Sequence, residues 1–198
     1  MKRLLIVTSA AALLSAAALL GTHTAWSAPA EVVFAGDTVH SFVLFKVKHL
    51  GVSWTYGRFN DFTVSTEMSV DGSSVASIAF NVKTDSVDTG LAKRDQHLRT
   101  QDFFNAKQFP EISFKSTAVK AIDANTTEVT GDLTLHGVTK PITVSVVKVG
   151  AGKGMAKEDL VGLESTFSLK RSDFDMTNMV GPVGDDVTIT VATELAKK

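Results

Sequence analysis

The sequence predicts an all-β fold, an antiparallel barrel of about eight strands with one short helical insertion. Three observations carry that expectation. Apolar residues recur at every second position, as at Ile78, Phe80 and Val82, at Ile142, Val144 and Val146, and at Phe167 and Leu169, so each strand has one dry and one wet face. Tight-turn signals separate such runs, at Asp71-Gly72 and at His136-Gly137. No segment long enough to be a core helix interrupts them. A single chain of such strands must bury its dry faces against one another, in a sandwich or a closed barrel, and the strand count fits the barrel.

Residues 1–30 read as a cleaved secretory signal. Met1, Lys2 and Arg3 give a basic start, Leu4 to Leu20 an apolar run of 17 residues, and Ala28-Pro29-Ala30 the small residues of a cleavage site, which places the mature start near Glu31. The run is shorter than the roughly 20 apolar residues a membrane span needs. The expected location is the periplasm or the exterior. The 168 residues from 31 to 198 fit one domain, large enough for a core without disulfides or metal staples. Cysteine is absent, which excludes thiol catalysis, iron–sulfur ligation and disulfide bonding. Without Lys2 and Arg3 the chain carries 18 basic and 21 acidic residues, net about −3, a balance that does not favour nucleic acid.

The strands expected along the mature chain are 40–49, a long strand or bulged pair at 58–70, 74–85, 111–121, 127–135, 140–149, 160–170 and 186–194. The expected connections are a turn around Gly51 to Gly57, a turn near Asn125, a glycine-rich loop at 150–159 and an irregular stretch at 171–185. Between 85 and 111 the alternation stops. There Leu91, Arg94 and Leu98 have helical spacing, with Asp88 or Thr89 as N-cap, and predict a helix over 90–100. Asp102-Phe103-Phe104 reads as a second helical turn opened by an aspartate cap. This insertion is either a lid over one barrel end or a surface connection whose Leu98, Phe103, Phe104 and Phe109 close the core.

Alternation assigns the faces. Two lysines on the opposite side of the first strand, Lys46 and Lys48, turn Ser41, Val43, Phe45, Val47 and His49 inward. The inward sets elsewhere include Phe62, Val64 and Met68; Ile78, Phe80 and Val82; Ile112 and Phe114; Val129, Leu133 and Leu135; Ile142, Val144 and Val146; Leu163, Phe167 and Leu169; and Val187, Ile189 and Val191. Phe59 and Phe62 are three apart, so a bulge between them keeps both rings on one side. All twelve phenylalanines lie in the mature chain. An interior of this composition suits a long apolar ligand, and it equally suits a solid core, because residue type does not distinguish the two.

Little in the sequence points to catalysis. His40, His49, His97 and His136 have no metal-motif spacing, and no nucleophile elbow, metalloprotease helix or phosphate loop is present. Arg94, His97 and Arg99, with Lys93, cluster on the insertion. They either meet an anionic headgroup through charge-assisted bonds or form a solvated face paired with Asp95 and Asp102. His49 offers an imidazole at the barrel mouth. Arg171 and Asp173 read as an ion pair closing the barrel.

These pieces resemble the YceI-like family of secreted, lipocalin-like barrels. The stretches that carry the likeness are Asp37-Thr38-Val39-His40-Ser41 with Phe45, Val47, His49 and Gly51; Gly57-Arg58-Phe59; and 94–99 with Asp102-Phe103-Phe104. Three more are 109–116, 131–140 and Arg171-Ser172-Asp173-Phe174. Asp175 stands where many relatives have glycine. The resemblance implies an eight-stranded antiparallel barrel, with a small helical element, holding a polyisoprenoid chain such as a polyprenyl phosphate or an isoprenoid quinone, and it supplies no catalytic residues; no metal, and no cofactor beyond the bound lipid, is expected. On alternation plus resemblance, the pore lining is Val43, Phe45, Val47, Phe62, Ile78, Phe80, Val82, Phe114, Leu133, Val144 and Phe167. The headgroup candidates are His49, Arg94, His97 and Arg99. The expected partners are the lipid and, transiently, a membrane; the rival reading is a filled barrel that acts as a structural or interaction protein.

Overall fold

A computed structural model describes residues 31–198, so the expected signal segment lies outside the described residues. Ten strands form one sheet: β1 (Glu31–His49), β2 (Ser53–Phe59), β3 (Phe62–Ser69), β4 (Val75–Lys83), β5 (Val87–Asp88), β6 (Glu111–Ala121), β7 (Thr126–Leu135), β8 (Val138–Lys153), β9 (Asp159–Lys170) and β10 (Val183–Lys197). One helix, α1 (Ala92–Leu98), interrupts them. The ladder runs β10-β9-β8-β7-β6-β4-β3-β1 and closes through β1–β10. That circuit is an eight-stranded antiparallel barrel of sequential neighbours, as the alternation predicts. β2 continues the line of β3 beside the second half of β1, and β5 flanks it.

Several boundaries differ from expectation for local reasons. β1 begins at Glu31 rather than 40, because Glu31–Ala35 pair with 65–69 of β3 and Phe34–Asp37 with 194–197 of β10. Between Asp37 and Phe42 the β1–β10 register slips in a bulge. The Ser41 hydroxyl repairs the break, accepting from the Glu194 N–H at 3.0 Å. The turn after β1 spans only 50–52, and Gly57 lies inside β2. A side chain at Gly57 would enter the Phe45 ring, and one at Gly131 would enter Phe114, so these glycines admit a facing aromatic instead of making a turn. β8 extends to Lys153, which shortens the expected glycine-rich loop to 154–158.

The insertion is mostly turns. The N-cap of α1 is Leu91, without a side-chain cap bond. The loop before it is held from inside the helix, by the buried Asp95 carboxylate accepting the Thr89 N–H and hydroxyl at 2.9 and 2.5 Å. Residues 101–104 form a turn rather than a helical cap. There the Thr100 hydroxyl accepts the Asp102 N–H at 3.3 Å, and the Asp102 carboxylate faces His97.

Phe34, Met68, Val129, Val161 and Leu195 pack the end where Glu31 and Lys198 lie. At the other end Phe103, Leu133, Leu135, Phe174 and Met176 form a second cluster, joined by Leu98 and Phe104. The insertion therefore serves as a closure of the core. Phe109 sits apart, its ring 4.6 Å from that of His136. β8 and β9 pair only from Val147–Glu164 to Lys153–Asp159. Beyond a bond of 2.7 Å from the Ser165 hydroxyl to the Ser145 carbonyl, the two strands run on toward the insertion end without a ladder between them.

Candidate ligand site in the barrel interior

The interior is hollow. A cavity of about 200 Å³ lies between the strands, room for on the order of seven water-sized groups at about 30 Å³ each. Inward residues such as Phe80, Phe114 and Val144 are only half-buried, because they border this space instead of meeting across the axis. In a close-packed interior such positions would be occluded.

Ten of the eleven expected lining residues stand on the wall: Val43, Phe45, Val47, Ile78, Phe80, Val82, Phe114, Leu133, Val144 and Phe167. Phe62 does not. It is buried in the surrounding core, and on the other side of the break at Asn60–Asp61 it is Phe59 that reaches the wall, with its ring centroid 5.6 Å from Phe45 and 5.4 Å from Phe104. The insertion contributes Leu98, Phe103 and Phe104 to the wall, so it is both closure and lining. Ile142, Val144, Phe167 and Leu169 flank the seam where β8 and β9 part.

The wall is almost wholly apolar. Thr193 and Thr66 are on it. The Thr193 hydroxyl donates to the Leu163 carbonyl at 3.3 Å, while the buried Thr66 oxygen has no partner among the described residues. Alternation places Thr66 inward between Val64 and Met68, but a polar residue in a dry set gives no signal of a lining role.

Arg171 is a wall residue whose partners sequence reading misassigned. It is 4% exposed and forms no ion pair with Asp173, whose carboxylate lies 3.7 Å from Lys140. Its Nε donates to the Gly184 carbonyl at 3.0 Å, its Nη1 to Met176 and Asn178 at 2.7 Å each, and its Nη2 to Val183 at 3.1 Å. One planar fork thus ties the 176–184 segment over the barrel end. Burial pushes its pKa down, and the Asp185 carboxylate pulls it back up. Asp185 itself is held below the ordinary carboxylate range by the Ser172 hydroxyl and N–H.

None of the four headgroup candidates stands on the wall. Arg94 donates to the Thr89 hydroxyl and carbonyl at 2.7 and 2.8 Å, and Arg99 to the carbonyls of Asp85 and Val87 at 2.6 and 2.9 Å. Both guanidinium groups brace the insertion. His97 meets Asp102 at 2.9 Å and stacks edge-on against Phe103. His49 is exposed at the end of β1.

Strand closure also gathers Asp37, His40 and Glu194 at the β1 bulge, with one ligating atom from each within 4.8 Å of the others. His40 Nδ1 lies 2.6 Å from Asp37 and 3.7 Å from Glu194. The hydrogen bond to Asp37 raises the His40 pKa, and the Val39 N–H, followed by His40, lowers that of Asp37. Sequence spacing does not reveal this cluster, because Glu194 arrives from the far end of the chain.

The comparisons agree with this architecture. A YceI-like domain matches residues 34–195. A UPF0312 protein of Ectopseudomonas mendocina is 37% identical over 93% of this chain and 95% of its own. The crystal structure of a Campylobacter jejuni YceI protein superimposes with a TM-score of 0.70 at 30% identity, covering 77% of this chain and 91% of that one. A polyisoprenoid binding domain from Saccharophagus degradans superimposes with a TM-score of 0.61 at 16% identity, over 84% of this chain and 99% of that one, a likeness of fold. The matched domain takes in nearly the whole barrel, and relatives above 30% identity run along it: this chain belongs to the YceI-like family.

Proposed function

We propose that the protein is a binding protein that holds the apolar tail of an isoprenoid lipid, a polyprenyl phosphate or an isoprenoid quinone, inside the barrel. In this reading it is exported to the periplasm or the exterior and performs no chemistry of its own. One observation carries the proposal, the hollow interior with its apolar wall. Each methylene moved there from water gains about 0.8 kcal/mol. A tail segment of on the order of seven carbons, more than one isoprene unit, fills the space and gains about 6 kcal/mol before the costs of ordering and association are subtracted.

The same wall supports a reading in which the headgroup stays outside. The Arg171 donors are engaged by backbone carbonyls, and a phosphate buried against phenylalanine and valine would lose its hydration without replacement. The fold likeness to a polyisoprenoid binding domain supports the choice of an isoprenoid over other apolar tails. The test is organic extraction of the purified protein followed by mass spectrometry. The proposal expects an isoprenoid lipid in stoichiometric amount. An extract that is empty, or that holds only straight-chain lipids, overturns it.

A further inference from the structure

Half of the large apolar side chains standing exposed gather at one corner of the barrel. Of sixteen among the described residues, eight lie at 42–56 of the β1–β2 hairpin or at 179–180, a loop tied to the hairpin by the Leu50 N–H donating to the Pro182 carbonyl at 2.7 Å. A monomer scatters such residues singly; a contiguous group marks a contact surface.

The hairpin tip is built to present them. The Val52 N–H donates to the His49 carbonyl at 3.0 Å across a two-residue loop in which Leu50 has φ 53° and Gly51 has φ 69°. Such loops favour Asn-Gly, and an L-residue in this left-handed region costs roughly 1–2 kcal/mol. Leucine bears that cost here while 61% exposed, beside Val52 at 86%. Behind the tip, Lys48 faces Trp54 and Lys46 faces Tyr56 across the β1–β2 ladder. The two ammonium groups lie over the Trp54 ring, 4.8 and 5.5 Å from its centroid. Among the described residues neither lysine is paired with a carboxylate.

An apolar tip, then tryptophan and tyrosine interleaved with lysines, reproduces in sequence the layers of a membrane interface: acyl boundary, headgroup level and anionic surface. The corner is at the barrel end where Val47, Met176 and Val183 reach the cavity wall. We infer that the β1–β2 tip docks the protein on an anionic lipid bilayer, with Leu50 and Val52 inserted and Lys46 and Lys48 at the phosphates. The inference rests on the tail-binding reading for its purpose and stands on its own residues for its geometry.

Co-sedimentation tests it, with vesicles of phosphatidylcholine containing phosphatidylglycerol against vesicles of phosphatidylcholine alone. Wild type and variants are compared in the same form, so any contribution from residues 1–30 cancels. The expected result is binding that prefers the anionic vesicles and weakens with salt. Lys46→Gln and Lys48→Gln should each lower the partition coefficient about fivefold, and Leu50→Asn roughly tenfold or more. Asparagine suits the turn, so a folding defect does not confuse the readout. Wild-type protein that does not sediment with the anionic vesicles, or variants that bind like wild type, overturn the inference. So does a dimer, seen by sedimentation equilibrium, that the same variants dissolve while vesicle binding is absent. None of these residues is on the cavity wall, so uptake of a short prenyl alcohol from solution should be unchanged in every variant. Failure of that uptake in wild type strikes the tail-binding proposal and not the docking surface.

Discussion

Replacing Val144 by phenylalanine separates a hollow barrel from a filled one. Val144 projects inward from β8, is half-buried and stands on the cavity wall. The substitution adds about four carbons, roughly half of the seven or so groups the space admits. A bound tail displaced by four methylenes loses about 3 kcal/mol at ~0.8 kcal/mol each, which is an affinity loss of about a hundredfold. The ring enters empty space, so the free energy of unfolding should change by less than ~1 kcal/mol. In a filled core the same change would overpack and cost about 1–3 kcal/mol. Urea denaturation measures stability, and displacement of an apolar fluorescent probe measures tail binding. Marked destabilisation with probe affinity unaltered would refute the reasoning.

Arg171→Met removes the donors that gather the carbonyls of Met176, Asn178, Val183 and Gly184. The variant should lose about 3 kcal/mol or more, with Arg171→Lys recovering little of it because the planar fork is missing; a loss within ~0.5 kcal/mol by urea denaturation would contradict the clamp. At the β1 bulge, His40 should titrate above 6.5 by nuclear magnetic resonance and move down in Asp37→Asn. Because the folded His40 pKa is raised, its contribution is complete below the unfolded value and fades as pH climbs through the folded one. Asp37, held low, contributes above its unfolded pKa and loses that contribution as pH falls through the folded value. A His40 titration indifferent to Asp37→Asn would dismiss the pair.

The barrel was legible where one face is dry. Val82, Leu133 and Val144 alternate with polar neighbours, Ile78 and Phe80 with polar or small ones, and burial of that face sets both strand type and direction. Residues 31–39 were not, since Gly36 and Asp37 interrupt the alternation and one of the two pairing partners, β10, lies more than a hundred positions away. β2 was hidden by Gly57, whose turn-like character conceals a packing role under Phe45. The charged residues of the insertion misled for a different reason. Arg94 and Arg99 look like recognition groups by type, and Arg171 outside the insertion looks like half of an ion pair, but all three donate to backbone carbonyl oxygen, and no residue code marks a carbonyl as needing a donor. Whether phenylalanines fill a barrel or line it depends on strand separation, which side-chain identity does not encode.

The most direct test of the tail-binding account is a high-resolution crystal structure of the protein as recovered from its host, before any delipidation. It should reveal continuous, branched, elongated density between Phe80, Phe114, Val144 and Phe167. Side chains meeting across the axis, with no volume left between them, would contradict it.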